Sequence, residues 1–120
     1  MSSNAVGVFQ HLVNATRYSI KGLIQTWSSE AAFRYEIYVS IVALPTAWIL
    51  GRNAAERALL IGSVVLILVV ELVNSAIEAV VNRVGPERHE LSGRAKDTAS
   101  AAVFCSIILA TAVWLTILFG

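Results

Sequence analysis

Charge is scarce in this chain. Asp, Glu, Lys and Arg together make up 14% of its 120 residues, against about 25% in an average soluble domain. With 57% hydrophobic residues and a mean hydropathy of +0.70, that deficit excludes a soluble domain of this size and points to a single small integral membrane protein. Cysteine is nearly absent: the one residue, Cys105, sits inside an apolar run, which excludes a disulfide framework or a cysteine-based metal site within one chain. The first thirty residues lack an apolar signal-peptide core, because Asn4, His11, Asn14, Arg17 and Lys21 interrupt them. A cleavable leader is therefore not expected, and the first membrane span would act as its own targeting signal. There is no internal repeat, linker or low-complexity segment. The net charge of +1 says little about partners, and a nucleic-acid partner is not expected.

What is present begins with an amphipathic pattern. From Val6 to Trp27 the apolar residues Phe9, Leu12, Val13, Ile20, Leu23, Ile24 and Trp27 recur at steps of three and four, with Gln10, Asn14, Arg17, Lys21, Gln25 and Ser28 opposite. The spacing predicts a helix over about 6–28. It is too polar to span, and its bases and tryptophan suit the headgroup plane or a seat against the protein's own spans. Ser28-Ser29-Glu30 reads as an N-cap with an acid in the first turn, opening a first span over about 30–50. The clean apolar run Ile37–Leu50 has 14 residues, short of the roughly 20 needed to cross a bilayer. Ala31 to Glu36 must then be partly immersed, with Glu30, Arg34 and Glu36 near the interface, and Pro45 is placed to kink the helix.

Gly51-Arg52-Asn53 predicts a tight turn. The next apolar run, Ala58–Val70, is again too short, so the second span is expected over about 54–84, passing Glu71 and Glu78 before Gly85-Pro86 stops it. A polar loop follows, and Ala99–Phe119, 21 residues without a charge, makes the third span when counted from about 92. The fold class expected is all-α integral membrane, one surface helix and three spans in a single domain. Seven of the nine basic residues (Arg17, Lys21, Arg34, Arg83, Arg88, Arg94, Lys96) fall with the N-terminus and the second loop, which places both on the cytoplasmic side. Three spans are too few to hide so many polar groups. Self-association is expected, with Ser92, Gly93, Ala95, Ala99, Ala101 and Ala102 allowing close helix approach.

The chemistry must lie between Glu71 and Asp97. On a helix, Glu71, Asn74, Ser75, Glu78 and Asn82 form one polar stripe about 100° wide. Counted from Ala58 at the outer edge, Glu71 lies about 20 Å in and Glu78 about 30 Å in, near the inner aqueous surface. Oxygen ligands of this kind suit Mg²⁺, usually held by one or two carboxylates together with substrate phosphates. Arg88, His89, Arg94 and Lys96 are donors that a polyphosphate needs. Glu78, with Glu30, can meet a water-soluble Mg²⁺–nucleotide, while the deeper Glu71 can meet a lipid hydroxyl as general base. Plainer readings stand beside these: an internal salt bridge or interhelical hydrogen bond for Glu71, a solvated surface for His89, interface residues for Lys96 and Asp97. No P-loop or kinase glycine-rich loop is present, so phosphoryl transfer here needs another solution.

ELVNSAIEAVV followed by ERHELSGRAKDTASAAV, with KGLIQTWSSEAAFR upstream, closely resembles the prokaryotic integral-membrane diacylglycerol kinase family over nearly the whole chain from Tyr18 to the third span. The resemblance implies a homotrimer of one surface helix and three spans per subunit, with sites shared between neighbours, in the bacterial inner membrane. It implies transfer of the ATP γ-phosphoryl group to the hydroxyl of diacylglycerol, with Mg²⁺. By matched motif, Glu71 would be the proton acceptor and Glu30 and Glu78 the Mg²⁺ ligands. Tyr18, Asn74, Glu87, Arg88, His89, Lys96 and Asp97 would serve the nucleotide. Ile24, Trp27, Ala32, Phe33, Arg34, Tyr35, Glu36, Glu71 and Ser100 would contact the lipid. His11, Tyr35 and Asn82 depart from the family's pattern. Undecaprenol is the alternative acceptor, and a non-enzymatic oligomeric proton or ion conductor lined by Glu71 and Glu78 is the alternative of another class.

Overall fold

The computed structural model of the chain describes residues 2–85 and 89–120, with side chains of the first helix from Asn4 onward. Among the described residues there are four helices and no strand: α1 (Ser2–Ser29), α2 (Ala31–Leu50), α3 (Ala54–Val84) and α4 (Glu90–Phe119). Two of them, α3 and α4, are long and apolar enough to cross a membrane. Helix α3 is central, packed along α4 on one side and α2 on the other, while α1 touches α2 and α3 only lightly. The molecule measures 51 × 46 × 23 Å. The 31 residues of α3, at about 1.5 Å each, account for one long dimension, and the similarly long α1, only lightly packed on the bundle, contributes to the other.

The seams between helices are built from small and hydroxyl-bearing residues. Phe33, Ser40 and Ala47 of α2 are buried at intervals of seven, against Leu60, Ser63, Glu71 and Asn74 of α3 and Ala99, Ser106 and Ala110 of α4. Small side chains at such positions let backbones approach where lipid leaves no hydrophobic driving force between helices. The serine hydroxyls are satisfied within their own helices: Ser40 donates to the Glu36 carbonyl at 2.7 Å, Ser63 to Leu60 at 3.0 Å and Ser106 to Val103 at 2.6 Å. The Trp114 indole N–H adds a link from α4 to the Leu60 carbonyl at 3.3 Å. Large apolar side chains such as Val42, Trp48, Ile49, Leu59 and Phe104 are exposed, the inverse of a water-soluble core.

The turn between α2 and α3 ties the bundle together through two arginines that bond carbonyls near helix C-termini. Arg57 Nε donates to the Trp48 carbonyl at 2.9 Å, with its guanidinium 4.7 Å from the Trp48 ring centroid. Arg52 Nη2 donates to the Ile117 carbonyl at 3.0 Å and Nε pairs with Glu56 at 3.2 Å. Asn53 caps α3 by accepting the Glu56 N–H at 2.9 Å. Gly51 is needed here for space, since a Cβ would run into Arg57 Cγ. At the other end of α3, Gly85 adopts φ 141°, a conformation closed to most residues. Pro86, the second half of the expected stop signal, lies outside the described residues.

Three boundary expectations need correction. Helix α1 begins at Ser2 rather than Val6, and α4 begins at Glu90 rather than Ser92. Ser28 and Ser29 do not cap α2: their hydroxyls donate back to the Ile24 and Gln25 carbonyls at 2.9 Å each, which makes them the last turn of α1. The N-cap of α2 is Glu30, and its side chain makes no capping bond. Pro45 lies within α2, which remains continuous from Ala31 to Leu50.

Candidate active site

The polar stripe of α3 divides by burial. Glu71 is 4% exposed and Asn74 9%, both in the seam, whereas Ser75 and Glu78 are half-buried and Asn82 is exposed. One heptad, about 10 Å of rise, separates the two acids along α3. Glu71 lies near Glu30, Glu78 and Glu36, with the Asn74 side chain against it. Four carboxylates from three segments of sequence therefore share one electrostatic neighbourhood.

A cleft of about 750 Å³ opens between α1 and α3, lined by Ser19, Gln25, Ser29 and Glu30 on one side and Ser75, Glu78 and Asn82 on the other. It brings Glu30 and Glu78 to one cavity, although they lie 48 positions apart in the sequence. Among the described residues no three His, Cys, Asp or Glu side chains converge on a single point. The donors are nonetheless all oxygens: two carboxylates on the cleft, and the Ser75 Oγ and Asn74 Oδ1, which are buried without hydrogen-bond partners. Such a set fits a hard cation that completes its shell with water and phosphate oxygens.

The remaining expected site residues are more dispersed. Tyr18 is exposed on α1, next to the cleft-lining Ser19. Lys96 and Asp97 are exposed on α4 and do not line the cleft. Glu87 and Arg88 lie outside the described residues. His89 is the N-cap of α4, its Nδ1 accepting the Leu91 N–H at 3.0 Å. Of the expected lipid contacts, Ile24, Trp27, Ala32, Tyr35 and Ser100 are exposed and Arg34 is half-buried, while Phe33, at 2% exposed, belongs to the core. Tyr35 and Glu36 line a second cavity of about 270 Å³ with Val39, Ser40, Val64, Ile67, Leu68 and Ile107, and Glu36 Oε2 is buried there without a partner.

A model of the prokaryotic diacylglycerol kinase family matches residues 17–118. The chain belongs to that family. The diacylglycerol kinase of Escherichia coli (strain K12) is 50% identical over 120 residues, covering 100% of this chain and 98% of the relative. That of Haemophilus influenzae is 48% identical over 109 residues, covering 91% and 92% respectively. The diacylglycerol kinase of Pseudomonas aeruginosa is 47% identical over 111 residues, covering 92% of this chain and 90% of its own.

Within this diacylglycerol kinase family member, the sequence pattern alone misses the α1 wall of the cleft. Ser19, Gly22, Thr26 and Ser29 line it, and their recurrence at steps of three and four is a readable stripe of small residues. The partner of Arg34 is also missed. Its Nη1 donates to the carbonyls of Trp27 at 2.6 Å and Ser28 at 3.2 Å, and nothing in residue spacing announces such a bond.

Proposed function

We propose that the chain is an ATP-dependent diacylglycerol kinase of bacterial membranes, moving the γ-phosphoryl group of ATP to the free hydroxyl of diacylglycerol and yielding phosphatidic acid and ADP. Family membership across residues 17–118 supports the activity. The observation that carries the division of labour is the pairing of Glu30 and Glu78 on one cleft, with Glu71 buried one heptad deeper on the same helix. Glu30 and Glu78 are assigned as the Mg²⁺ ligands, with Asn74 close by. Bound there with the nucleotide, the ion would neutralise charge developing on the phosphate oxygens. Glu71 is assigned as the proton acceptor for the lipid hydroxyl, which reaches it from the hydrocarbon side. Tyr18, His89, Lys96 and Asp97, with Glu87 and Arg88, are assigned to the nucleotide. Lysine and arginine among them offer the donors phosphates require. Ile24, Trp27, Ala32 to Glu36 and Ser100 are assigned to the lipid. Holding nucleotide and lipid in line supplies much of the rate in such a transfer.

The wider arrangement belongs to the same proposal. Helix α1 lies in the headgroup plane, α2, α3 and α4 span as one domain, and three copies assemble in the inner membrane with the N-terminus cytoplasmic. The bias of seven basic residues against two favours that orientation,. The deciding assay uses purified protein in mixed micelles with Mg²⁺, labelled ATP, and either diacylglycerol or undecaprenol. Label appearing in phosphatidic acid is expected. Label only in undecaprenyl phosphate reassigns the acceptor, and no labelled lipid from either refutes the kinase reading.

A further inference from the structure

The guanidinium of Arg34 reaches back across the elbow between α1 and α2, onto the Trp27 and Ser28 carbonyls. Both acceptors belong to the last turn of α1, where carbonyls have no partner further along the helix and the helix dipole is negative. A cation satisfies both conditions. A second clasp lies beside it: the rings of Trp27 on α1 and Tyr38 on α2 meet edge to face, with centroids 5.6 Å apart at 87°, a favoured aromatic geometry.

These clasps matter because little else holds α1. No side chain from Asn4 to Ser29 is buried, and contacts with the bundle are few. Glu30 is the single residue between the two helices, with extended backbone at φ −117° and ψ 107°. It is tied to both neighbours, since its N–H donates to the Thr26 carbonyl at 2.9 Å and its carbonyl accepts the Arg34 N–H at 3.3 Å. Among the described residues its carboxylate has neither a capping bond nor an ion pair. Nothing local aims that side chain, so its direction follows from the elbow angle.

We propose that Arg34 is a positioning residue for the cation site, clasping the end of α1 so that the Glu30 carboxylate is held opposite Glu78 across the cleft. The proposal rests on the reading of Glu30 and Glu78 as cation ligands and adds a role for Arg34 that is separate from any lipid contact. With the clasp released, α1 pivots about residue 30, and the two carboxylates no longer meet one cation at the same time. The cost should fall on cation affinity as well as on any direct lipid contact of Arg34.

The test uses the full chain in mixed micelles, with Mn²⁺ binding followed by electron paramagnetic resonance in the presence of a non-hydrolysable ATP analogue, alongside Mg²⁺ and lipid titrations of activity. Arg34→Gln is expected to weaken Mn²⁺ binding and raise the half-saturating Mg²⁺ concentration about tenfold, on the scale of one charge-assisted hydrogen bond, in addition to any change in lipid KM from its own lipid contact. Arg34→Lys, which keeps a donor, should recover most of the loss. Tyr38→Leu, which removes the other clasp and leaves Arg34 intact, should weaken Mn²⁺ binding in the same direction by a smaller factor, and it carries the test if Arg34→Gln does not fold. Unchanged Mn²⁺ binding in whichever folded variant is measured overturns the proposal, and so does a loss confined to lipid affinity. Glu30→Gln separates this from the underlying reading. If that change also leaves Mn²⁺ binding unaltered, the ligand assignment fails; if it weakens binding while the clasp variants do not, only the positioning role fails.

Discussion

Glu71 and Glu78 carry the same functional group on the same helix, and their surroundings differ. Glu71 is sealed in the seam beside Asn74, whereas Glu78 faces a cleft that also receives Glu30. Glu71→Gln is accordingly expected to lower turnover by about 10²–10⁴-fold, the usual range for a lost general base, while nucleotide affinity survives. Glu78→Gln should instead raise KM for Mg²⁺–ATP. Steady-state kinetics paired with equilibrium nucleotide binding checks both, and loss of nucleotide affinity alone in both variants would contradict the division of roles. At this scale the α3 side of the site was legible in the sequence, because a 3.6-residue period reports which side chains share a face. The stripe of small residues on α1 could be read but not what it faces, and the partner of Arg34 could not be read at all, because both depend on the angle at which a second helix arrives.

Between residues and the whole lie the helix ends, where much of the local order is decided. Helix α4 begins with Leu91 exposed, Gly93 in its second turn and no buried residue before Ala99, so packing alone holds its first turns weakly. The cap is therefore important: His89 Nδ1 accepts the Leu91 N–H, and the His89 carbonyl accepts the Gly93 N–H at 3.0 Å. His89→Ala should lower stability by about 1 kcal/mol, as for a lost N-cap, and His89→Asn, whose side-chain oxygen can take the same bond, should restore it. Thermal unfolding in detergent, followed by circular dichroism, distinguishes the two. Element existence and the bounds of α3 were readable from the apolar runs and from glycine. The serines before Glu30 misled, since a hydroxyl at a helix boundary can bond back to the preceding turn as readily as cap the next one, and only backbone geometry decides between them.

Across the whole molecule, a half-buried acid cleft and a row of exposed apolar side chains sit on one slender bundle. Three helices cannot cover both, which is the physical case for several copies. The expected assembly is three chains of 12.9 kDa each, and sedimentation in density-matched detergent should give that multiple; a monomer with full activity would refute it. The chain's membrane character and helical class, and the shared face of Glu71 and Glu78 on one helix, were determined by sequence alone, because hydropathy and helical period are local properties that any neighbouring fold must accommodate. Tertiary structure decided where those acids sit. It brought Glu30 to Glu78 across 48 positions, buried Glu71 and Asn74, and turned Arg34 onto α1. Each of these depends on the relative placement of helices, a relation that no single stretch of sequence contains.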